Sequence, residues 1–186
     1  MSKDPKSVAE QDKNLRGDST TWANWMSVLG LTTCQYCKEQ HGKIVAIAIL
    51  GGKNEVQAHR YCLCIYVPMR TKKAGSATNR GMNGTDVYLI YYKKLPEYYI
   101  KKGQAQKSGW MPEEGNLADA CPGKMIGGGN FKNHDLVLPT APGRIWYEAD
   151  INYVSGFRNK HRILYSNDGL IFVTYDHYET FYEITY

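Results

Sequence analysis

The stretch RIWYEADINY, residues 144–153, predicts a strand with Glu148 near its middle. Side chains of a strand alternate between its two faces, so Trp146 and Asp150 share the face of Glu148. Three further strand-like segments follow, at residues 161–166, 170–176 and 181–186, and Asn167-Asp168-Gly169 predicts a hairpin turn between the first two of these. This run of strands predicts an antiparallel sheet.

The residues before these strands predict helices. One helix ends before Pro96 and has its apolar positions at Val87, Leu89, Ile90 and Tyr91. Residues 99–109 predict a second helix, which Gly109 stops. Helices followed by a run of strands are typical of an α+β unit, with the helices packed on the antiparallel sheet. We expect this domain to occupy residues 84–186.

The strand region brings together residue types that suit one kind of chemistry. Glu148 is followed by Arg158 and Arg162, and His177 comes after the third strand. We expect a hairpin that pairs residues 144–153 with 161–166 to bring Arg162 close to Glu148, with Arg158 in the connecting loop. RNA cleavage without a metal needs a carboxylate that takes the 2′-hydroxyl proton and a histidine that protonates the leaving oxygen. It also needs cations that hold the phosphate. A surface ion-pair network is the other interpretation of the same residues, and spacing alone does not exclude it.

The composition supports a folded, mildly basic protein. A chain of 186 residues can hold one large domain or a small domain with an appendage, and a hydrophobic content of 42% supports a packed core. The net charge of +5 fits attraction to a polyanion, although many soluble proteins carry such a charge. No apolar run reaches the length of a membrane span, so we expect no membrane partner.

Residues 1–20 are polar and predict a flexible lead-in. They lack the apolar region of a classical signal peptide. If the protein leaves its cell, we expect it to be secreted, or delivered to a target cytoplasm, by a non-classical route.

Residues 21–70 predict a small module that precedes the main domain. Its first part, residues 22–31, has the apolar spacing of a short amphipathic helix. Residues 44–50 and 65–69 predict short strands. Residues 71–83 are rich in Lys, Gly, Ser, Thr and Asn, and they predict a linker.

Four of the five cysteines in the chain lie in this module as a Cys-x-x-Cys and a Cys-x-Cys pair. Two such pairs can supply the four ligands of a structural zinc site. The predicted ligands are Cys34, Cys37, Cys62 and Cys64, with His41 and His59 as alternates. Disulfides and free thiols are the competing interpretations, and the missing signal peptide weakens the first of these. The fifth cysteine, Cys121, predicts a small buried residue.

The order of these motifs resembles the carboxy-terminal end of Mu-type phage head morphogenesis proteins. There a Cys-x-x-Cys is followed by His-Gly, by His-x-x-Cys-x-Cys and by an apolar stretch, which here fall on Cys34, Cys37, His41-Gly42, His59, Cys62, Cys64 and residues 65–68. In that family the module is often followed by a toxin domain. The resemblance implies a delivery appendage, with phage-head or delivery-system components as possible partners.

A second series of motifs runs from about Gly84 to the end of the chain. It includes Lys94-Leu95-Pro96, Gly115-Asn116-Leu117-Ala118-Asp119, Ile126-Gly127-Gly128, Glu148-Ala149-Asp150-Ile151-Asn152-Tyr153, Ser155-Gly156-Phe157-Arg158-Asn159, Arg162-Ile163-Leu164-Tyr165-Ser166 and Asp176-His177-Tyr178. Together they resemble the barnase family of bacterial guanyl-specific ribonucleases. The resemblance covers the catalytic part of that family and implies its α+β fold.

The resemblance also implies roles for individual residues. Glu148 is similar to the general base of that family and His177 to its general acid. Arg158, Arg162 and Lys102 are similar to the cations of the active site, and Tyr178 to a residue that lines the pocket. The implied guanine-binding loop comprises Phe131, Lys132, Asn133, His134 and Asp135. Its backbone amides would bind the guanine O6, and the Asp135 carboxylate would accept hydrogen bonds from the guanine N1 and N2.

Four positions depart from the family pattern. One is Gly169, which replaces a tryptophan of the hairpin and which we expect to affect stability only. The other three concern the site. Gly129 replaces an aspartate near the site, His134 replaces an arginine, and Asp135 replaces a longer glutamate. We therefore expect cleavage to be better preserved than a strict preference for guanine. Arg144 and Asp168 match a structural ion pair of the family.

The resemblance implies an endoribonuclease toxin that cleaves single-stranded RNA 3′ of guanosine and leaves a 2′,3′-cyclic phosphate. No cofactor is expected for catalysis. The implied partners are RNA and a barstar-like acidic inhibitor or immunity protein. A catalytically weakened RNA-binding domain and a capsid-associated interaction domain are the alternatives.

Overall fold

The computed structural model describes residues 22–27, 33–46 and 64–186. These residues form two compact units. One comprises the described residues up to Thr71 together with Asn133–Pro142, and the other comprises Lys72–Lys132 and Gly143–Tyr186.

The amino-terminal unit contains a small antiparallel sheet. Its central strand is β1, Trp22–Met26, which pairs with β2, Ile44–Ala46, on one side and with β3, Ile65–Pro68, on the other. The prediction of a helix over residues 22–31 is therefore wrong for residues 22–26, and residues 28–31 lie outside the described part. The apolar spacing fits either structure, but two neighbouring strands satisfy the backbone of β1 and bury its tryptophans.

A short helix, α1, spans Gln35–Gln40 between β1 and β2. The Cys34 thiol caps its start by accepting a hydrogen bond from the backbone N–H of Cys37 over 3.4 Å. The predicted strand over residues 44–50 is observed as β2, and its last four residues lie outside the described part.

The carboxy-terminal unit begins with helices. Helix α2 spans Thr85–Tyr92, α3 spans Lys102–Lys107 and α4 spans Leu117–Ala120, and short 3-10 turns lie at Gly81–Asn83 and Pro112–Glu114. The predicted helix over residues 99–109 is thus shorter than expected. Tyr99 and Ile100 instead form β5, which pairs in parallel with β6. None of the described helices is long and apolar enough to cross a membrane.

In the described part of the chain, seven strands form the main sheet. Their order is β4-β10-β9-β8-β7-β6-β5. The strands not yet defined are β4 Arg70–Lys73, β6 Met125–Phe131, β7 Trp146–Asp150, β8 Arg162–Ser166, β9 Ile171–Thr174 and β10 Tyr182–Thr185. From β6 to β10 the neighbours are antiparallel, which confirms the predicted α+β class with an antiparallel sheet.

Two apolar clusters hold the helices to this sheet. Leu89 and Ile90 of α2 pack on one face of the sheet against Ala149, Ile163 and Val173. The second cluster surrounds α3 and α4 and consists of Ala105, Trp110, Leu117, Cys121, Met125, Ile126 and Tyr153. Cys121 is buried here, as predicted. Because α2 covers the face that carries Ala149, the face that carries Glu148 is left for the site.

The interval 71–83 differs from the linker that its composition predicts. It contains the end of β4 and a 3-10 turn, and Ala77 is buried in the core cluster with only 2% of its surface exposed. Small polar residues favour flexible chain, but here their backbone groups find hydrogen-bond partners within the unit.

Candidate active site

Glu148 lies on β7 beside an irregularity in the neighbouring strand. The register of β6 and β7 shifts between Gly127 and Gly129, and Gly129 lies opposite Glu148. Gly128, at the shift, has φ +77°, and a side chain on Gly127 would overlap the Tyr99 ring. Such a bulge bends the strand and re-aims the side chains near it. The glycines of β6 therefore shape the sheet next to Glu148.

The carboxylate of Glu148 opens into a cleft of about 330 Å³. Residues that line the cleft include Lys101, Lys102, Gly129, Asn130, Glu148 and Arg158. The ammonium of Lys102 lies 4.0 Å from the Glu148 carboxylate, and the lysine side chain is 58% exposed. Among the residues that the structure describes, apart from the two chain neighbours of Gly129, no atom lies within 4 Å of the position that a Cβ on Gly129 would occupy. The cleft thus carries three basic side chains beside the carboxylates of Glu148 and Asp150, and it is open at Gly129.

The two predicted phosphate-binding arginines share one buried carboxylate. Arg158 forms a two-pronged ion pair with Asp150, from Nε to Oδ2 over 2.6 Å and from Nη2 to Oδ1 over 2.7 Å. Arg162 Nε lies 3.1 Å from Oδ1 of the same residue. The hydrogen bonds with Asp150 raise the pKa of Arg158, against the effect of its burial. The ion pairs with Asp150 therefore fix both guanidinium groups in direction.

The sequence-based expectation that Arg162 lies beside Glu148 is modified by the register. Arg162 lies opposite Asp150 in the sheet, and Leu164 lies opposite Glu148. Arg162 Nη1 also donates to the backbone oxygens of Asn159 and His161 over 2.6 and 2.8 Å. If β8 were shifted by two residues along β7, Arg162 would lie opposite Glu148. In the observed register Arg162 instead pairs with the more deeply buried carboxylate of Asp150.

His177 lies in a tight turn after β9 with an unusual backbone. His177 and Tyr178 have φ values of +66° and +76°, in the left-handed region that side chains with a Cβ rarely adopt. Such strain persists only where surrounding contacts enforce it, and it is common at functional sites. The His177 side chain is exposed to solvent.

Asp176 supplies the contacts that enforce this turn. Its Oδ1 accepts hydrogen bonds from the Thr174 hydroxyl and the Thr180 backbone N–H over 2.8 and 2.9 Å. The Thr174 hydroxyl in turn accepts from the Tyr178 N–H over 3.0 Å. Partial burial raises the pKa of Asp176, but the hydrogen bonds from Thr180, Thr174 and Glu179 outweigh it and hold the pKa below its usual value.

Tyr178 connects the two residues that we predicted as base and acid. Its hydroxyl donates to Glu148 Oε2 over 2.7 Å, and its ring centre lies 4.7 Å from that of His177. Burial and the hydrogen bond with Glu148 raise the pKa of Tyr178, so the phenol remains neutral and acts as the donor. Phe131 lies on the other side, with its ring centre 5.3 Å from that of Tyr178.

The predicted guanine-binding loop is divided between the two units. Phe131 and Lys132 belong to the unit of Glu148, whereas residues 133–135 belong to the other unit. Asn133 is buried, has φ +45°, and exchanges two hydrogen bonds with the backbone of Leu138 over 2.8 and 3.0 Å. The Asn133 side chain therefore shapes its own loop, while His134 and Asp135 are exposed.

The cysteine module is described only in part. Cys37 and Cys64 are buried with Ala23 and Trp25, Cys34 packs against them, and the Cys64 thiol donates to the Ser27 hydroxyl over 3.4 Å. Within residues 22–27, 33–46 and 64–186, no group of three or more His, Cys, Asp or Glu is arranged to hold a metal ion. Cys62 and His59 lie outside the described residues, so the predicted four-ligand set stays a prediction.

His41 is disfavoured as a metal ligand by its hydrogen bond. Its Nδ1 accepts from the backbone N–H of Ser27 over 3.1 Å. A neutral imidazole that accepts at Nδ1 carries its proton on Nε2, so neither nitrogen has a lone pair left for a metal.

The fold and the basic cleft define an α+β enzyme, and comparison with known proteins gives its family. A sequence profile of the ribonuclease family matches residues 85–185. The ribonucleases of Heyndrickxia coagulans, Bacillus intermedius and Bacillus pumilus are each 57% identical over 102 residues, which is 55% of this chain. The match covers 94% of the first protein and 63% of the other two. The chain belongs to the ribonuclease family and is an endoribonuclease.

Sequence reasoning predicted Glu148, His177 and the arginines as site residues but missed the residues that hold them in place. The strand pattern places Asp150 on the face of Glu148 but gives it no role. An acidic residue two positions from Glu148, on a strand followed by two arginines, is a signal that predicts such ion pairs. Thr174 and Asp176 were not singled out. Their signal is a threonine two residues before an acidic residue, which allows a local hydrogen-bonded turn.

The lowered pKa of Asp176 predicts a pH-dependent contribution to stability. A carboxyl group whose pKa is lower in the folded than in the unfolded state stabilises the protein at pH values above its unfolded-state pKa of about 4. This stabilisation is lost as the pH falls through the folded-state pKa. We expect Asp176→Asn to lower the free energy of unfolding at pH 7, and its difference from wild type to shrink below about pH 4. Urea unfolding at several pH values measures this.

The neighbouring exposed carboxylate provides the control for this experiment. Glu179→Gln changes the same charge without removing an acceptor of the turn, so we expect little change in the free energy of unfolding. If Asp176→Asn lowered the free energy of unfolding by the same amount at every pH from 7 to 3, the carboxylate charge would play no part in the stabilisation.

Proposed function

We propose that the chain cleaves single-stranded RNA by metal-independent transesterification, with Glu148 as general base and His177 as general acid. The observation that carries this proposal is the arrangement around Tyr178. Its hydroxyl donates to Glu148 while its ring contacts His177, so one residue touches both proposed proton-transfer groups. Membership of the ribonuclease family supplies the substrate class.

The proposed reaction proceeds in balanced steps. Glu148 removes the proton from a ribose 2′-hydroxyl, and the 2′-oxygen forms a bond to phosphorus. The bond from phosphorus to the 5′-oxygen breaks, and protonated His177 gives its proton to that leaving oxygen. The products are a 2′,3′-cyclic phosphate and a new 5′-hydroxyl end. Each proton transfer contributes about 10²- to 10⁴-fold to the rate.

Fixed cations stabilise the negative charge that develops on the phosphate. Arg158 and Arg162 are oriented by Asp150 before any substrate binds, so little reorganisation is needed during the reaction. Lys102 lies 4.0 Å from the Glu148 carboxylate and is mostly exposed, which leaves its ammonium available to the phosphate as well. The neutral Tyr178 donates a hydrogen bond to Glu148 and fixes the direction of its carboxylate.

Preference for guanine is the second part of the proposal. Guanine presents one acceptor, O6, beside the donors N1 and N2 on its base-pairing edge, and backbone amides with a nearby carboxylate complement that pattern. Asp135 is exposed and can supply the carboxylate, and Phe131 offers an aromatic face next to Tyr178. Because Asp135 is shorter than the family glutamate, the preference is expected to be weaker than the cleavage activity.

Removal of the proposed acid and base should abolish cleavage without unfolding the protein. We expect Glu148→Gln and His177→Gln to lower kcat by about 10²- to 10⁴-fold each, with little change in KM. Steady-state cleavage of a fluorescent oligonucleotide, together with circular dichroism of each variant, measures both properties. Loss of Glu148 should remove the acid limb of the pH profile, and loss of His177 the alkaline limb.

Glu113→Gln is the matched control because Glu113 is an exposed carboxylate on the 3-10 turn Pro112–Glu114, outside the cleft lining. It should cleave like wild type. Full activity of either Glu148→Gln or His177→Gln would refute the assigned roles.

Base preference can be tested by the cleavage pattern on one defined RNA. Asp135→Asn replaces one acceptor oxygen by a donor that repels the guanine N–H groups, so we expect its preference for guanosine to fall by about 10- to 100-fold. Asp135→Glu restores the longer acid and should sharpen the preference. Equal cutting after all four bases by the wild type would leave the ribonuclease proposal intact but remove its guanine part.

The biological setting completes the proposal. We infer a toxin that kills by RNA cleavage, an acidic inhibitor of the barstar type that protects the producing cell, and an amino-terminal delivery module. The basic cleft with Lys102 and the two arginines is suited to attract an acidic protein. Expression of wild type should arrest a host and His177→Gln should not. The resemblance to phage head proteins rests on the cysteine motifs alone.

The cysteine spacing further predicts about one zinc ion per chain, bound by Cys34, Cys37, Cys62 and Cys64. Elemental analysis of the purified protein measures it. Because the proposed chemistry uses only protein side chains, a strong chelator should destabilise the amino-terminal module without stopping RNA cleavage. Far less than one equivalent of zinc would exclude the site, and loss of cleavage that zinc restores would contradict metal-independent chemistry.

A further inference from the structure

Residues 72–80, called here the clamp segment, are held by several parts of the carboxy-terminal unit that are distant in sequence. The backbone N–H of Ala74 donates to the oxygen of Thr185 over 2.8 Å, which continues the pairing of β4 with the last strand. The ammonium of Lys72 lies over the rings of Tyr175 and Tyr182, 5.5 Å from each ring centre. The segment thus begins as part of the sheet edge.

A buried carboxylate on helix α2 holds the middle of the segment. Oδ2 of Asp86 accepts hydrogen bonds from the backbone N–H groups of Gly75 and Ala77 over 2.8 and 3.1 Å. Asp86 is fully buried, and its Oδ1 has no hydrogen-bond partner among the described residues. A buried carboxylate is costly unless its hydrogen bonds compensate, so these two N–H groups are what makes an acid tolerable at this place.

Two side chains near the arginines hold the remainder of the segment. The Tyr175 hydroxyl donates to the backbone oxygen of Ala77 over 2.7 Å. Asn152 accepts from the backbone N–H of Asn79 over 2.8 Å, and its amide nitrogen lies 3.2 Å from Nδ1 of His161. The His161 ring also meets the edge of Tyr175. Because the His161 oxygen accepts from Arg162, the clamp segment is connected to the arginine hairpin.

We propose that residues 72–80 are an integral clamp of the ribonuclease unit, so that the catalytic fold begins at Lys72 and not at residue 85, where the family match starts. The clamp joins the start of α2, the last strand and the arginine hairpin. A proteolytic cut before β4 would leave the clamp intact. A cut between Gly75 and Asn79 would release Asp86, Tyr175 and Asn152 from their backbone partners together.

A double-mutant cycle in the full chain tests the clamp. We expect Asp86→Ala to lower the thermal midpoint of the ribonuclease unit by on the order of 10 °C. Tyr175→Phe, which loses only the hydroxyl, should lower it by about 5 °C. Because both residues act through Ala77, the double variant should melt within about 2 °C of Asp86→Ala alone. Additive losses would overturn the proposal.

Asp86→Asn is the matched variant. It keeps an oxygen that accepts from the two N–H groups and replaces the oxygen that has no hydrogen-bond partner among the described residues. We therefore expect its thermal midpoint to lie well above that of Asp86→Ala. An equal loss of thermal midpoint in both variants would contradict the clamp.

Hydrogen exchange adds a local measurement. The amides of Ala74, Gly75 and Ala77 should be protected like core amides in the wild type and should exchange faster as a group in Asp86→Ala. Exchange at unfolded-chain rates in the wild type would also overturn the proposal.

Discussion

The buried carboxylate of Asp150 is the interaction on which the arrangement of the active cleft depends. It is 1% exposed and pairs with two guanidinium groups from the following hairpin, one of them through two hydrogen bonds. A buried charge is tolerated only when its oxygens are satisfied, and here both oxygens are used. Its backbone oxygen also accepts from the Tyr99 hydroxyl over 2.6 Å, which ties β7 to β5. One residue therefore fixes the sheet and aims both cations.

This arrangement separates the residues that we propose to react from the residues that hold them. Glu148 lies two residues before Asp150 on the same strand, so the alternation of the sheet turns both carboxylates to one face. The deeper carboxylate, Asp150, is occupied by its ion pairs with the two arginines. The shallower one, Glu148, accepts a hydrogen bond from the neutral Tyr178 and faces the cleft. The strained turn of His177 follows the same logic, because Asp176 and Thr174 enforce a backbone that places the histidine and Tyr178 next to each other.

The parts predicted from sequence were those in which residue type and period determine the outcome. Strands β7 to β10 follow from short runs of strand-forming residues and from the turn at residues 167–169. The ion pair of Arg144 with Asp168 is present with a 2.7 Å contact. The parts that were missed depend on partners far away in the chain. Residues 22–26 form a strand because β2 and β3 lie beside them. The partner of Arg162 depends on the register between β7 and β8, because a shift of two residues would exchange Asp150 for Glu148.

The clamp segment shows why composition alone misleads at such boundaries. Gly, Ser, Thr and Asn are typical of linkers because they form few apolar contacts, but their backbone N–H groups remain strong donors. When a single buried acceptor such as Asp86 meets two of those donors, the segment becomes ordered without any apolar pattern of its own. The signal then lies in the acceptor, a carboxylate in the first turn of an otherwise apolar helix, and not in the segment that it orders. Domain limits drawn from aligned sequence motifs end where the motifs end, whereas the physical unit ends where its backbone hydrogen bonds do.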